Sequence, residues 1–239
     1  MRTYVGVDGC RAGWFYVALD EDGSADFNIA PDARCLWKKF SNSSMILIDI
    51  PIGLREGGDE RPVDKIARRV LTGRASSVYP VPCRPALCAD NYPEASRLNF
   101  EHTGRKLSKQ SWAIAPKIRQ VDKLLQAEPA SRALFSETHP EVIFWALNGR
   151  HPMQHNKKTP EGNAERLALL LTHHPQAEAL ISAALAKFSP GQLARDDVVD
   201  ALANAVTAWK SRGKLACIPN VPDLDSTGLP MEMAYFLPQ

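Results

Sequence analysis

Apolar positions fall in short blocks at the start of the chain. Residues 3–8, 14–20 and 24–30 read as three short strands. The Asp20-Glu-Asp-Gly-Ser24 turn between the second and third carries hairpin chemistry. Pro31 and Asp32 open a predicted helix to about Phe40, because proline and an acid both suit a first helical turn. Met45-Ile-Leu-Ile-Asp-Ile50 is a continuous apolar run between Asn42-Ser-Ser44 and Pro51, the pattern of a central strand buried on both faces. Three meandering strands, a helix and a buried strand predict an α/β fold with an antiparallel part followed by a parallel crossover.

Residues 51–130 read as a large insertion after this fourth strand. Its stretch Ser76-Ser-Val-Tyr-Pro-Val-Pro-Cys-Arg-Pro85 holds too many prolines for a central strand. A basic helix is predicted at Pro62 to Leu71, and another from Trp112 to Gln126 with a kink or boundary at Pro116. The sheet resumes at Ala133-Leu-Phe-Ser-Glu137. Helices follow over 140–147, 162–172, 176–187 and from Asp196 to Arg212, and the proline-rich tail from Pro219 is left unassigned.

At 239 residues the chain is long enough for one elaborated domain, 1–239. Its 29 basic and 27 acidic residues give a net charge of +2, which neither demands nor excludes a nucleic-acid partner. No apolar run approaches the roughly 20 residues that span a bilayer. The five cysteines form no Cys-x-x-Cys pair, which speaks against structural zinc or a disulfide framework. A cytoplasmic, non-membrane protein is the expectation; oligomeric state is not legible.

Candidate chemistry gathers at element ends. Asp8 closes the first strand ahead of Gly9, and Asp49 lies near the end of the buried one. If those strands are parallel neighbours, both carboxylates share one edge of the sheet. On the last helix Val198, Val199, Leu202, Val206 and Trp209 form an apolar face, while Asp197, Ala201, Asn204 and Ala208 form a stripe of mostly small residues suited to close packing on a sheet. Asp200 is one turn from both Asp196 and Asp197. Such oxygen donors suit Mg2+ or Mn2+, and two ions held between them can drive phosphodiester hydrolysis. Asp196 and Asp197 equally fit a helix cap and first-turn acid. Asp49 is harder to explain structurally, because a carboxylate in an apolar strand is costly unless paired or metal-bound.

The segments Val5-Gly-Val-Asp-Gly-Cys-Arg-Ala-Gly-Trp14, Ile48-Asp-Ile-Pro-Ile-Gly53, Ser76-Ser-Val-Tyr-Pro80, Leu107-Ser-Lys-Gln110, Glu137-Thr-His-Pro-Glu141, Lys157-Lys-Thr159 and Asp196-Asp-Val-Val-Asp-Ala201 run through nearly the whole chain. In that order they resemble domain-of-unknown-function family 429, described as predicted nucleases of the ribonuclease H-like fold. The resemblance implies a five-stranded mixed sheet with three antiparallel strands first, flanked by helices. It also implies a metal site of acids from strand one, strand four and the last helix. On this chain those acids are Asp8, Asp49, Asp197 and Asp200, with Asp196 the alternative to Asp197. The implied activity is a Mg2+- or Mn2+-dependent nuclease acting through a two-metal carboxylate mechanism.

Glu137 is a candidate fifth acid and His139 a candidate proton shuttle, although His139 and Glu141 equally fit a simple helix start at a turn fixed by Pro140. Arg11, Arg74, Arg84, Lys109, Lys117 and Lys157 are candidate phosphate contacts, and Tyr79, Trp112 and Trp145 candidate stacking platforms beside a core-packing reading. A nucleotide-directed phosphohydrolase on the same site is the enzymatic alternative. A non-catalytic nucleic-acid adaptor on the same fold is the other, and the acids at all three expected places speak against it. An actin-like or sugar kinase reading lacks a second glycine-rich phosphate loop and room for a duplicated domain.

Overall fold

The computed structural model describes residues 2–238. Strands β1 (Thr3–Cys10), β2 (Gly13–Asp20) and β3 (Ala25–Ala30) form an antiparallel meander, followed by helix α1 (Ala33–Phe40). Asp32 caps α1 by accepting the Cys35 N–H at 2.7 Å. The chain then crosses to β4 (Met45–Ile48), parallel to β1, and after 86 intervening residues reaches β5 (Phe135–Glu137), parallel to β4. The resulting five-stranded mixed sheet has the order β3-β2-β1-β4-β5. Strand β4 is shorter than its apolar run, and Asp49 lies one residue beyond it.

Between β4 and β5 run α2 (Pro62–Val70), α3 (Tyr92–Thr103) and α4 (Lys109–Ala127), with short 3-10 turns between them. Helix α4 passes through Pro116 without a boundary. The missing N–H costs a hydrogen bond, but Ala115, Ile118, Val121, Leu124 and Leu125 bury one face of the helix against the sheet. After β5 come α5 (Pro140–Leu147), α6 (Pro160–His173), α7 (Ala177–Lys187) and α8 (Arg195–Ser211). The tail forms a small antiparallel hairpin of β6 (Ala216–Ile218) and β7 (Met233–Tyr235). Among the described residues, no helix is long and apolar enough to cross a membrane.

Strand alternation sorts the side chains into two layers. Val5, Val7, Trp14, Tyr16, Ala18, Ile46, Ile48 and Phe135 pack with α1 and α4. On the opposite face Phe15, Val17 and Leu19 pack with α5, α7 and α8. Tyr4 and Leu47 share that face and meet Ala208. Helix α8 is buried nearly all round from Val198 to Ala208 and lies across β1, β2 and β4. Its approach is permitted by Gly6: a Cβ there would lie 2.0 Å from the Ala205 nitrogen and 2.2 Å from the Ala201 oxygen. No side chain larger than hydrogen fits, so the central strand and the last helix meet backbone to backbone.

Candidate metal centre

The same alternation places the acids. Asp8 has the parity of Tyr4 and Gly6, so its side chain leaves β1 on the α8 face. Asp49 has the parity of Leu47, and its N–H still donates to the Val7 carbonyl at 3.0 Å, extending the parallel register by one residue. The backbone contact at Gly6 seats α8 deeply enough for Asp200, one turn before Asn204, to reach the same corner. One carboxylate oxygen each from Asp8, Asp49 and Asp200 lies within 4.8 Å of the other two. Asp8 and Asp200 are buried and Asp49 is partly exposed.

Burial raises all three carboxyls. For Asp8 the shift is large, with Asp49 and Asp200 adding repulsion. Asp49 is pushed up to about 6 by burial, against the relief supplied by His139 and Lys157. Asp200 is raised by burial, while the Lys157 ammonium, donating to its Oδ2 at 2.6 Å, pulls it back. Asp8 Oδ1 also accepts the Gly9 N–H at 2.6 Å.

Of the acid doublet, Asp197 stands nearer the corner. Its charge acts on Asp8 and Asp49, and burial pushes its own carboxyl up to about 6. Its Oδ2 accepts the Ala194 N–H at 3.0 Å, so it serves as a helix cap at the edge of the three-acid group rather than within it. Asp196 also bears on the corner, its charge helping to raise Asp200 and Asp197.

Glu137 does not join these acids. It pairs with Ile48 in register and shares the parity of Phe135, which puts it on the α1/α4 side of the sheet. There Arg61 grips it through Nη1 at 2.8 Å and Nη2 at 2.7 Å, and the Ile52 N–H donates to Oε2 at 2.6 Å. Arg61 also pairs with Asp64 and donates to the Ile52 and Gly53 carbonyls. Glu137 therefore anchors the chain that leaves Asp49. His139, by contrast, borders the corner, since its charge acts on Asp49. In the neutral ring Nδ1 accepts the Glu141 N–H at 3.2 Å and the Nε2–H faces the Ser77 carbonyl at 3.4 Å.

The basic candidates separate by what already holds them. Arg84 is committed to Glu56 at 2.7 Å, Asp122 at 3.0 Å and Asp225 at 2.5 Å, and thus ties the residues after α8 to the segment between β4 and β5. Arg74 donates to the Met153 carbonyl at 3.0 Å. Arg11 and Lys109 are exposed. Lys117 lies over the Trp14 ring at 4.5 Å, donates to the Gly13 carbonyl, and feels Asp8 and Asp197. Lys157 alone of the six contacts an acid of the corner. Trp145 is a core residue stacked edge-on against Tyr235, Trp112 packs near Tyr92, and Tyr79 is 47% exposed.

Asn204 was placed by the sequence only in a small-residue stripe. It is fully buried and donates to the Val7 carbonyl at 3.1 Å, the same oxygen that receives the Asp49 N–H. Its Oδ1 has no partner. The spacing of four from Asp200 was the available signal.

No curated protein and no solved structure gave a significant match to the chain. A family model described as "Protein of unknown function (DUF429)" matches residues 6–224, and the chain belongs to that family.

Proposed function

We propose that the protein is a Mg2+- or Mn2+-dependent hydrolase of phosphodiester bonds in nucleic acid, built on a ribonuclease H-like fold. The observation that carries this reading is the convergence of Asp8, Asp49 and Asp200, from three separate elements, within 4.8 Å of one another. The strand order β3-β2-β1-β4-β5, with β1–β3 antiparallel and β4 and β5 parallel to β1, supports the fold assignment.

The donor set fits a hard divalent cation. It is all oxygen and all carboxylate, and three buried like charges are costly without a counter-ion. Asp8, Asp49 and Asp200 would hold the ion, which supplies Lewis-acid polarisation and charge neutralisation at a phosphate. Asn204 and the Asp49 N–H share the Val7 carbonyl and so fix the last helix against the strand ends that carry Asp8 and Asp49. His139 borders Asp49 and is the proton-shuttle candidate of the site; donation to a leaving oxygen requires its imidazolium form, which leaves neutral imidazole. Lys117 and Lys157 offer positive charge near the acids.

A second reading, a phosphohydrolase of free nucleotides on the same site, is favoured by the engagement of Arg84 and Arg74 in internal contacts, which removes two of the six candidate phosphate contacts. One screen separates the two: cleavage of RNA, DNA, hybrid, branched substrates and nucleotides with Mg2+ or Mn2+, comparing the parent with Asp8→Asn and Asp49→Asn. Metal-dependent activity lost in both variants is expected. Activity that survives both overturns the site.

A further inference from the structure

Lys157 is held in place from its backbone outward. The loop before α6 is clamped by Asn163, whose Nδ2 donates to the Lys157 and Thr159 carbonyls at 3.0 Å each. The Thr159 hydroxyl caps α6 at the Gly162 N–H, 3.1 Å away. Gly162 lets the helix close onto this loop, since a Cβ there would stand 1.9 Å from the Asn156 oxygen. From this fixed base the side chain reaches Asp200 at 2.6 Å. Asp8 and Asp49 also stabilise its charge, so the ammonium sits in the field of all three acids. Three carboxylates and one ammonium leave two negative charges, the complement of a single divalent cation.

Resting on the metal-site reading above, we infer that Lys157 is a built-in cation that takes the place of a second ion: the corner binds one divalent metal, and the ammonium supplies the other positive charge facing the substrate phosphate. A lysine suits this task because its charge is compact and its stem adjustable. A lysine that served only to neutralise Asp200 would instead be displaced when two ions entered.

The test counts bound Mn2+ by equilibrium dialysis and electron paramagnetic resonance, without substrate. One ion per chain is expected in the parent protein and in Lys157→Arg, and two in Lys157→Met and Lys157→Gln. Two ions in the parent, or one in both neutral variants, overturn the inference while leaving the metal site standing. No ion in the parent overturns the metal site itself. The parent count decides the matter even where a neutral variant does not fold.

Discussion

Asp49 and Glu137 end adjacent parallel strands yet face opposite sides of the sheet, because Glu137 is in register with Ile48 and Asp49 is one residue further on. One residue of offset separates a candidate metal ligand from the partner of a buried arginine.

Exchange of the two carboxylates for amides is therefore expected to have different consequences. Glu137→Gln leaves Arg61 under-compensated and lowers stability by about 3 kcal/mol, with Mn2+ affinity unchanged. Asp49→Asn lowers Mn2+ affinity by more than about 100-fold, beyond what loss of an outer-shell partner costs. Urea unfolding and Mn2+ titration on the same preparations check both. Equal losses of Mn2+ affinity would contradict the placement of Glu137.

The raised carboxyl of Asp49 has a defined signature in metal-free protein. Its folded pKa of about 6 stands above the unfolded value of about 4. Between those values the folded chain retains a proton that the unfolded chain has released, so this group costs stability as pH rises through the window. In EDTA, Asp49→Asn should exceed the parent by roughly 2–3 kcal/mol at pH 7.5, and the gap should close toward pH 4. Taking the difference between the two proteins cancels the carboxyls remote from the corner, several of which shift the opposite way, while Asp8 and Asp200 titrate together with Asp49 and respond to its removal. A gap independent of pH would refute the assignment.

Gly6→Ala tests the seat of α8. The added methyl would meet the Ala205 nitrogen and Ala201 oxygen, both main-chain atoms that cannot rotate away. Loss of stability of roughly 3 kcal/mol is expected, at the upper end for overpacking, together with weakened Mn2+ binding as Asp200 is displaced. Normal melting with normal Mn2+ affinity would show that the helix can move without harm.

Arg84→Ala should destabilise the protein without touching Mn2+ affinity. It removes the shared partner of Glu56, Asp122 and the fully buried Asp225 carboxylate, whose pKa is held down at about 2 with help from the Leu54 and Leu229 N–H groups and Arg84. Loss of about 3 kcal/mol is expected by urea unfolding, and less at pH 3 than at pH 7, because Asp225 contributes stability that fades as it gains a proton.

The regular parts of the fold were legible because their periodicity is local. The three-strand meander, the apolar fourth strand, α5 and α8 each announce themselves within a window of ten to twenty residues. Helix α3 was missed: its apolar positions are few, and only Ala95 and Asn99 are buried. The β6–β7 hairpin was missed because 14 residues, several of them prolines, separate its strands. Asp8, Asp49 and Asp200 were legible as acids at element ends. Glu137 was not separable from them, since its fate depends on the parity of a three-residue strand and on Arg61, 76 positions earlier. Arg84 reads in sequence as a candidate phosphate contact, because its three acidic partners lie scattered between Glu56 and Asp225.

The backbone contact between Gly6 and α8 also sets an order of events in the making of the protein. Asp8 and Asp49 leave the ribosome early, but they can meet Asp200 only when the last helix has emerged and docked on β1. A nascent chain halted before that helix carries two of the three acids and no assembled centre. The three-acid corner is therefore completed only when α8 docks.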